Sequence, residues 1–134
     1  MNKRQCLVYV IDDDAAVRKA LARLLRAGNC DAETFASPEE FLSELRQEEN
    51  ACIITDLRMP GSTGFDLQKQ IVLCGLRLPI IVLSASDDAK AREHARELGA
   101  VAFFRKPVDD QALLDAIWWA ISGPRPNSNG AKKQ

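Results

Sequence analysis

Residues 6–14 read C-L-V-Y-V-I-D-D-D, an apolar run of strand length that ends in three aspartates. Four more runs of strand length follow it, at residues 32–35, 51–55, 79–84 and 101–104. All except the run at 32–35 are nearly continuous hydrophobics, a pattern typical of strands that are buried on both faces of a parallel sheet. The run at 32–35 is weaker and more polar, as expected of a strand at the edge of a sheet.

Segments of helical periodicity lie between and after these runs. They span residues 14–27, a stretch that begins at Pro38, and residues 65–74, 87–98 and 109–121. Proline at the first helical position and glycine after the last one are the signals that mark their ends. The alternation predicts five βα units, and right-handed crossovers would cover both faces of the sheet with helices. The expected fold is therefore α/β, with a doubly wound five-stranded parallel sheet.

The composition is typical of a single globular domain. The 134 residues are 46% apolar and 28% charged, enough to form a hydrophobic core. The net charge of −1 gives no electrostatic basis for binding nucleic acid by this chain alone. No apolar run approaches the ~20 residues that span a bilayer, and the N-terminus lacks a signal-peptide pattern. These features predict a cytoplasmic protein that does not bind a membrane.

The four cysteines, Cys6, Cys30, Cys52 and Cys74, are widely spaced and include no CxxC pair. This spacing favours neither a metal site nor a disulfide framework. We therefore expect them to be small buried side chains in the reduced form.

The composition changes at Gly123, after which apolar residues nearly disappear. We expect one domain over residues 1–122. Residues 123–134 are expected to form a flexible tail or the start of an interdomain linker.

Charged and hydroxyl side chains stand where several of the predicted strands end. These residues are Asp12 and Asp13 after the first strand, Asp56 after the third, Ser84 at the end of the fourth and Lys106 after the fifth. Because the carboxyl ends of parallel strands meet at one edge of a sheet, we expect these groups to converge there. The sequence therefore predicts a functional site at this edge.

The chemistry of this cluster favours phosphoryl transfer. Carboxylates at close range repel one another, and a divalent cation relieves the repulsion. Oxygen ligands of this kind suit Mg²⁺ or Mn²⁺. A carboxylate can also attack phosphorus and form an aspartyl phosphate, while a lysine and a hydroxyl stabilise the phosphoryl oxygens. The cluster therefore indicates Mg²⁺-dependent handling of a phosphoryl group at one aspartate.

Four motifs in the chain resemble those of a known family. They are V-Y-V-I-D-D-D, I-I-T-D-L-R-M-P-G-S-T-G, I-I-V-L-S-A-S and F-F-R-K-P-V, at residues 8–14, 53–64, 80–86 and 103–108. In this order and spacing they are similar to the receiver domain of response regulators in two-component signalling. The stretch T-D-L-R-M-P-G is most similar to the FixJ group, and the resemblance covers residues 4–122. It implies a flavodoxin-like receiver architecture and a phosphorylation-dependent signalling switch that is a regulator and not an enzyme.

The resemblance assigns a role to each acid of the cluster. Asp56 would be the phosphoacceptor, which takes a phosphoryl group from a sensor histidine kinase or a phosphotransfer protein. The ligands of Mg²⁺ or Mn²⁺ would be Asp12, Asp13, Asp56 and the backbone carbonyl of Arg58. The chain would also assist its own phosphoryl transfer and dephosphorylation.

The resemblance also implies a set of residues that respond to phosphorylation. Lys106 would pair with the phosphoryl group, and Ser84 would be the switch hydroxyl. Phe103 would be the switch aromatic, with Phe104 on the opposite face of the strand. Pro107 would follow a cis peptide bond. The last two helices and the last strand would form the face that changes, which is also the candidate surface for a homodimer.

Two other functions use the same types of residue. A phosphatase with an aspartyl nucleophile typically needs a second aspartate two residues later, where this chain has Arg58. A receiver-like module that only binds partners would lack an acid, the hydroxyl or the lysine, and none of these is missing from the sequence. The switch is therefore favoured over both. The output remains open, and transcription is expected if an effector domain follows in the full gene product.

Residues outside the cluster have simpler interpretations. Asp14 is expected to cap the first helix, and His94 is expected to lie at the surface. On the last helix, Trp119 lies nearly opposite the apolar face, so we expect it to be exposed as part of a partner surface. The first helix also carries a basic face that is either solvated or a contact for partners; it consists of Arg18, Lys19, Arg23 and Arg26.

Overall fold

The computed structural model describes residues 6–44, 50–59, 62–85 and 88–122. The strands are β1 (Leu7–Ile11), β2 (Asp31–Phe35), β3 (Ala51–Asp56), β4 (Arg58–Met59), β5 (Ser62–Thr63), β6 (Ile80–Ser84) and β7 (Ala100–Arg105). The helices are α1 (Ala15–Ala27), α2 (Pro38–Ser43), α3 (Gly64–Leu73), α4 (Ala89–Glu97) and α5 (Asp110–Ser122). The ends given by the sequence pattern agree with these bounds to within two residues.

Five of the strands form one parallel sheet in the order β2-β1-β3-β6-β7. The chain moves from β1 outward to β2, returns to β3 and then moves outward through β6 to β7. The helices therefore cover both faces. One face packs against α2, α3 and α4, and the other packs against α1 and α5. The predicted doubly wound α/β fold is confirmed.

The first strand illustrates why a continuous apolar run is needed in the centre of this sheet. Leu7, Tyr9 and Ile11 belong to the core cluster on the face of α2, α3 and α4. Val8 and Val10 alternate with them and belong to the cluster on the face of α1 and α5. All five side chains are at most 3% exposed. The strand therefore carries two cores, one on each face.

The last strand differs from its prediction. β7 lies at the edge of the sheet opposite β2 and has β6 as its one neighbour in the sheet. Its residues are either intermediate in burial or exposed, with Val101 at 40%. The prediction that this strand is buried on both faces is therefore wrong, because an apolar run does not reveal where its strand lies in the sheet. The predicted edge position of β2 is confirmed.

A short antiparallel pair, β4 and β5, follows β3, and the sequence pattern did not indicate it. Arg58 pairs with Thr63 across this hairpin. Thr63 then caps α3, because its hydroxyl accepts a hydrogen bond from the Asp66 N–H while the Asp66 carboxylate accepts one from the Thr63 N–H. The hairpin thus leads from the end of β3 directly into α3.

Cys6 and Cys30 form a disulfide bond, which contradicts the prediction that all four cysteines are reduced. They immediately precede β1 and β2, whose register pairs Leu7 with Asp31. Parallel pairing therefore brings the two cysteines side by side, with their Cα atoms 4.8 Å apart. Sequence spacing does not reveal this register, so the pair was missed.

The other two cysteines have contrasting environments. Cys52 is a buried thiol, and burial raises its pKa to about 12. Cys74 is an exposed thiol just after α3. Only Cys52 therefore matches the expectation of a buried, reduced cysteine.

Several predictions about the surface are also tested by the structure. Trp119 is 60% exposed, as predicted from its helical phase, while Trp118 is partly buried against the core cluster of α1 and α5. The Asp14 carboxylate caps α1 by accepting hydrogen bonds from the N–H groups of Ala16 and Val17. Within the described residues, no helix has the length and apolar character needed to cross a membrane. Residues 123–134 lie outside the described ranges, so the predicted tail stays a prediction.

Candidate functional site

Strand pairing brings two of the predicted acids together. β1 and β3 are neighbours, and their register pairs Ile11 with Thr55. The next residues, Asp12 just after β1 and Asp56 at the end of β3, therefore lie side by side at the edge of the sheet. Asp12 is 2% exposed, whereas Asp13 is exposed at the surface. One carboxylate oxygen from each of these three aspartates lies within 4.8 Å of the others.

Lys106 completes the charged cluster from the far edge of the sheet. It follows β7, and its backbone N–H donates a hydrogen bond to the Ser84 carbonyl at 2.7 Å. Its Nζ lies 3.1 Å from Oδ2 of Asp12 and 3.2 Å from Oδ1 of Asp56. The ammonium group therefore bridges the two carboxylates. The predicted convergence of the acids and the lysine is confirmed.

The electrostatics of the cluster make an ionised Asp56 costly. Burial raises the pKa of the Asp56 carboxyl; the charge of Lys106 lowers it and the charge of Asp12 raises it, with a net increase from the ordinary value of 3.8. For Lys106, burial lowers the pKa, but hydrogen bonding to Asp12 and the charges of Asp56 and Asp12 outweigh burial and raise it overall. The cluster therefore favours a cationic partner for Asp56.

The donor set fits a hard divalent cation. Three carboxylates offer only oxygen ligands, which Mg²⁺ and Mn²⁺ prefer. Asp12 is already oriented, because Oδ1 accepts the Asp14 N–H at 2.9 Å while Oδ2 faces Lys106. Asp13 is exposed and accessible to an ion from solvent. The role of the Arg58 carbonyl, at the start of β4, stays a prediction.

The two predicted switch residues lie on the neighbouring strands β6 and β7. Leu83 pairs with Asp56 in the sheet, so Ser84 lies one residue beyond the end of β3, and it is 1% exposed. Phe103 pairs with Val82 one strand further out. Phe103 packs against the core cluster of α2, α3 and α4, and Phe104 packs against that of α1 and α5. The opposite orientation of the two rings is therefore confirmed.

The loop that presents Lys106 also agrees with its prediction. The bond between Lys106 and Pro107 is a cis peptide bond. The roles of Lys106, Ser84 and Phe103 in a response to phosphorylation stay predictions.

Gly64 is a positioning residue that sequence reasoning missed. Its N–H donates a hydrogen bond to the Leu57 carbonyl at 2.7 Å. A Cβ at this position would lie 3.1 Å from the Asp56 carbonyl oxygen and 3.3 Å from the Leu57 Cα, so a side chain would push against the backbone that carries Asp56. The signal that could have revealed it is a glycine at the first position of a helix, since glycine there indicates a close approach of backbone.

Arg18 has a structural contact that the sequence analysis did not predict. Its Nη1 donates a hydrogen bond to the Asp12 carbonyl at 2.7 Å, so it braces the loop that carries the buried acid. Arg26 donates more weakly to the Ala32 carbonyl, at 3.5 Å. The basic face of α1 is therefore not simply solvated, because at least these two side chains contact the chain's own backbone.

His94 lies at the surface, as predicted. Its side chain is 46% exposed, its ring meets the Phe65 ring edge-on with 4.4 Å between centroids, and Nδ1 lies 3.8 Å from the Glu97 carboxylate. It lines a pocket of about 290 Å³ that also contacts Arg58 and Lys90. The pocket adjoins the hairpin, and the acid cluster lies outside it.

Known proteins with similar sequences and folds identify the family. Residues 8–118 match the family described as response regulator receiver domain. The chain is 37% identical over 133 residues to the response regulator protein TodT of Pseudomonas putida, covering 98% of this chain and 59% of that protein. It is 38% identical over 110 residues to the transcriptional regulatory protein FixJ of Azorhizobium caulinodans, covering 82% of this chain and 52% of that protein. The predicted similarity to FixJ is confirmed.

A solved structure gives the same result for the fold. The response regulator StyR superposes on this chain with a TM-score of 0.81 at 38% identity, covering 87% of this chain and 59% of that chain. The chain therefore spans 52–59% of the length of these relatives. Because the family match covers most of the sequence, and the fold and the acid cluster agree with it, the chain belongs to the response regulator receiver family, whose members are phosphorylation-dependent signalling switches.

Proposed function

We propose that Asp56 is the phosphoacceptor of this switch and that it receives its phosphoryl group from a sensor histidine kinase or a phosphotransfer protein. The observation that carries the proposal is the bridge from Lys106 Nζ to Asp12 and Asp56 at 3.1 and 3.2 Å. It puts a fixed positive charge beside a carboxylate that is partly accessible, with two more acids within 4.8 Å.

The transfer is a displacement at phosphorus. An Asp56 carboxylate oxygen forms a bond to phosphorus while the bond from phosphorus to the donor's histidine nitrogen breaks, and the electron pair stays on that nitrogen. Lys106 neutralises charge on the phosphoryl oxygens as they arrive. A Mg²⁺ or Mn²⁺ ion held by Asp12, Asp13, Asp56 and the Arg58 carbonyl would supply further positive charge to the same oxygens. The chain's own groups thereby assist both transfer and later hydrolysis.

The proposed response passes from Ser84 and Phe103 to the outer face of the domain. A phosphoryl group on Asp56 gives Ser84 a new hydrogen-bond acceptor, and Phe103 turns toward the space that the hydroxyl vacates. The equilibrium shifts because the phosphoryl group interacts differently with Ser84 and Lys106 in the two conformations. The face formed by α4, β7 and α5 changes as a result.

This face is the proposed surface for a homodimer, and Trp119 on α5 is its exposed aromatic. The output proposed for the whole protein is control of transcription, as the name of its FixJ relative indicates for that protein. In this proposal residues 1–122 are the receiver domain and act in the cytoplasm. The chain alone binds neither nucleic acid nor a membrane, in keeping with its net charge of −1.

In this proposal the protein is a regulator and does not turn over an external substrate. A phosphatase that uses an aspartyl nucleophile would place a second acid two residues after Asp56. Here that residue is Arg58, whose side chain is exposed and carries no carboxylate. The chain therefore has no acid at the position, two residues after Asp56, where such phosphatases place the one that supports repeated hydrolysis.

The proposal is tested by phosphorylation with acetyl phosphate and Mg²⁺, followed by intact-protein mass spectrometry. Wild type should gain one phosphoryl group, and Asp56→Asn should gain none, because the amide is a poor nucleophile. Asp14→Asn is the matched control, since asparagine also caps a helix and Asp14 is an exposed acid outside the ion pair. Equal labelling of Asp56→Asn and wild type would contradict the assignment.

A further inference from the structure

Arg92 contacts the proposed switch aromatic from a different element. It lies on α4, and its Nη1 donates a hydrogen bond to the Phe103 carbonyl on β7 at 3.2 Å. The same guanidinium group lies over the Phe103 ring, with Cζ 5.0 Å from the ring centroid. One side chain therefore connects the fourth helix to both the backbone and the ring of Phe103.

The ring is otherwise only partly enclosed. Phe103 packs on its inner side against the core cluster of α2, α3 and α4. On its outer side it lines a small groove between α4 and β7, together with Arg92, Arg96 and Val101. The guanidinium is therefore a cover on the side of the ring that faces solvent, and its contact with the ring is a cation–π interaction.

These contacts of Arg92 with the carbonyl and with the ring of Phe103 respond differently to a movement of the ring. The carbonyl belongs to the backbone of β7, so the hydrogen bond to it survives a rotation of the Phe103 side chain. The contact with the ring depends on where the ring lies, and a rotation removes it. The hydrogen bond thus anchors the guanidinium, and the ring contact contributes to the free-energy difference between two positions of Phe103.

We propose that Arg92 is a positioning residue that holds Phe103 in the unphosphorylated arrangement and so opposes the switch until Asp56 is modified. This inference rests on the proposed function, because it assumes that Phe103 moves when Asp56 is phosphorylated. In the structure the Asp56 carboxylate pairs with Lys106, and the ring contact is present in that same arrangement. Loss of the contact should therefore favour the phosphorylated conformation.

The test measures the rate of phosphorylation by acetyl phosphate and Mg²⁺, a donor too small to need a docking surface on α4. Arg92→Ala should raise this rate on the order of twofold to fivefold, the size of one exposed cation–π contact. Arg96→Ala is the matched control. Arg96 is on the same helix, carries the same charge and lines the same groove. Its Nη2 pairs with both Glu93 carboxylate oxygens at 2.7 Å, whereas the cation–π contact with the Phe103 ring comes from Arg92. This control should leave the rate unchanged.

A second background separates positioning from general destabilisation. In Phe103→Leu there is no aromatic ring for Arg92 to hold, so adding Arg92→Ala should change the rate no further. Urea unfolding of each variant shows whether it is folded. If Arg92→Ala does not fold, Arg92→Lys replaces it, because lysine keeps the charge but lacks the planar group that covers the ring, and it should also raise the rate.

The outcomes distinguish this inference from the function on which it rests. If wild type takes up no phosphoryl group, the proposed function fails. If wild type is labelled but Arg92→Ala reacts at the same rate or more slowly, only the role of Arg92 is overturned. An effect of equal size in Arg96→Ala, or in the Phe103→Leu background, also overturns it, because the contact with the ring would then not be the cause.

Discussion

At the scale of single residues, the raised pKa of Asp56 has a consequence for stability. An acid whose pKa is higher in the folded chain is bound to its proton more tightly there than in the unfolded chain. As pH rises from the ordinary value of 3.8 through the raised value, ionisation of Asp56 therefore favours unfolding. Above that window the folded chain carries the full cost of an ionised carboxylate in this partly buried position.

Asp56→Asn removes this cost, so without divalent cations the variant should melt at a higher temperature than wild type at pH 7. The difference should shrink as pH falls below the ordinary pKa of an aspartate, because wild-type Asp56 is then protonated in both states. Thermal melts in EDTA at several pH values measure it, with Asp14→Asn as the control. Equal melting temperatures of wild type and Asp56→Asn at pH 7 would contradict the proposed free-energy cost of ionising Asp56 in the folded chain.

Divalent cations should act on the same residues. An ion held by Asp12, Asp13 and Asp56, whose carboxylates lie within 4.8 Å of one another, would stabilise the folded chain and relieve their mutual repulsion. Millimolar Mg²⁺ should therefore raise the melting temperature of wild type relative to EDTA, and Asp56→Asn, with one charged ligand fewer, should respond less. A buffer in which Na⁺ replaces Mg²⁺ at the same ionic strength is the control for a general effect of salt. Identical wild-type melts in Mg²⁺ and EDTA would contradict a metal site.

The site residues that could be predicted are those whose position follows from topology alone. Asp12, Asp56 and Lys106 stand where strands end, so any parallel sheet of this order brings them together. Arg18, Gly64 and Arg92 act through contacts with backbone, which depend on the phase of one helix or the path of one loop. The sequence gives the identity of these residues, but only the three-dimensional structure shows which backbone carbonyl accepts a hydrogen bond from each of them.

At the scale of elements, the disulfide between Cys6 and Cys30 joins the starts of β1 and β2. It closes a loop that contains α1, and the two cysteines are 24 positions apart in the sequence. Reduction should lower the free energy of unfolding by about 2–4 kcal/mol, because the unfolded chain regains the freedom that the crosslink removes. The fold itself should survive, since both side chains lie in the core cluster of α1 and α5.

Urea unfolding with and without dithiothreitol measures this effect. The double variant Cys6→Ala with Cys30→Ala is the control, and it should show no response to dithiothreitol. Thiol titration gives an independent check: the oxidised, denatured chain should show two thiols, those of Cys52 and Cys74. Four thiols before reduction would contradict the crosslink.

The elements themselves were predictable because their signals are local. Apolar runs mark β1, β3 and β6, and capping residues such as Asp14 and Ser37 mark where helices begin. The exposure of β7 and the Cys6–Cys30 pair depend instead on which strands are neighbours in the five-stranded sheet. Strand order is set by the packing of the whole sheet, so no single stretch of sequence carries it.

At the scale of the whole molecule, Trp119 stands out as a large aromatic that is 60% exposed on α5. We expect Trp119→Ala to weaken self-association of the phosphorylated form by roughly tenfold or more, because a buried tryptophan is a common anchor of interfaces. Phosphorylation itself should not change, since α5 carries none of the acids at the site. Analytical ultracentrifugation of the phosphorylated protein measures the effect.

Leu73→Ala is the matched control for this variant. Leu73 is 77% exposed at the end of α3, on the other side of the sheet from α5, so its truncation also removes exposed apolar surface. If Leu73→Ala weakens self-association as much as Trp119→Ala, the α4–β7–α5 face is not the specific interface. If the phosphorylated wild type remains a monomer at all concentrations, the proposed homodimer is contradicted.

The central claim, that Asp56 carries the phosphoryl group, is tested most directly by finding the modified residue chemically. Borohydride reduces an acyl phosphate to an alcohol, so an aspartyl phosphate becomes a homoserine that survives proteolysis. After treatment with acetyl phosphate and Mg²⁺ and then with borohydride, tandem mass spectrometry of the peptides should find homoserine at position 56 and at no other aspartate. Homoserine at Asp12 or Asp13 instead, or at no position while the intact chain carries a phosphoryl group, would contradict the account.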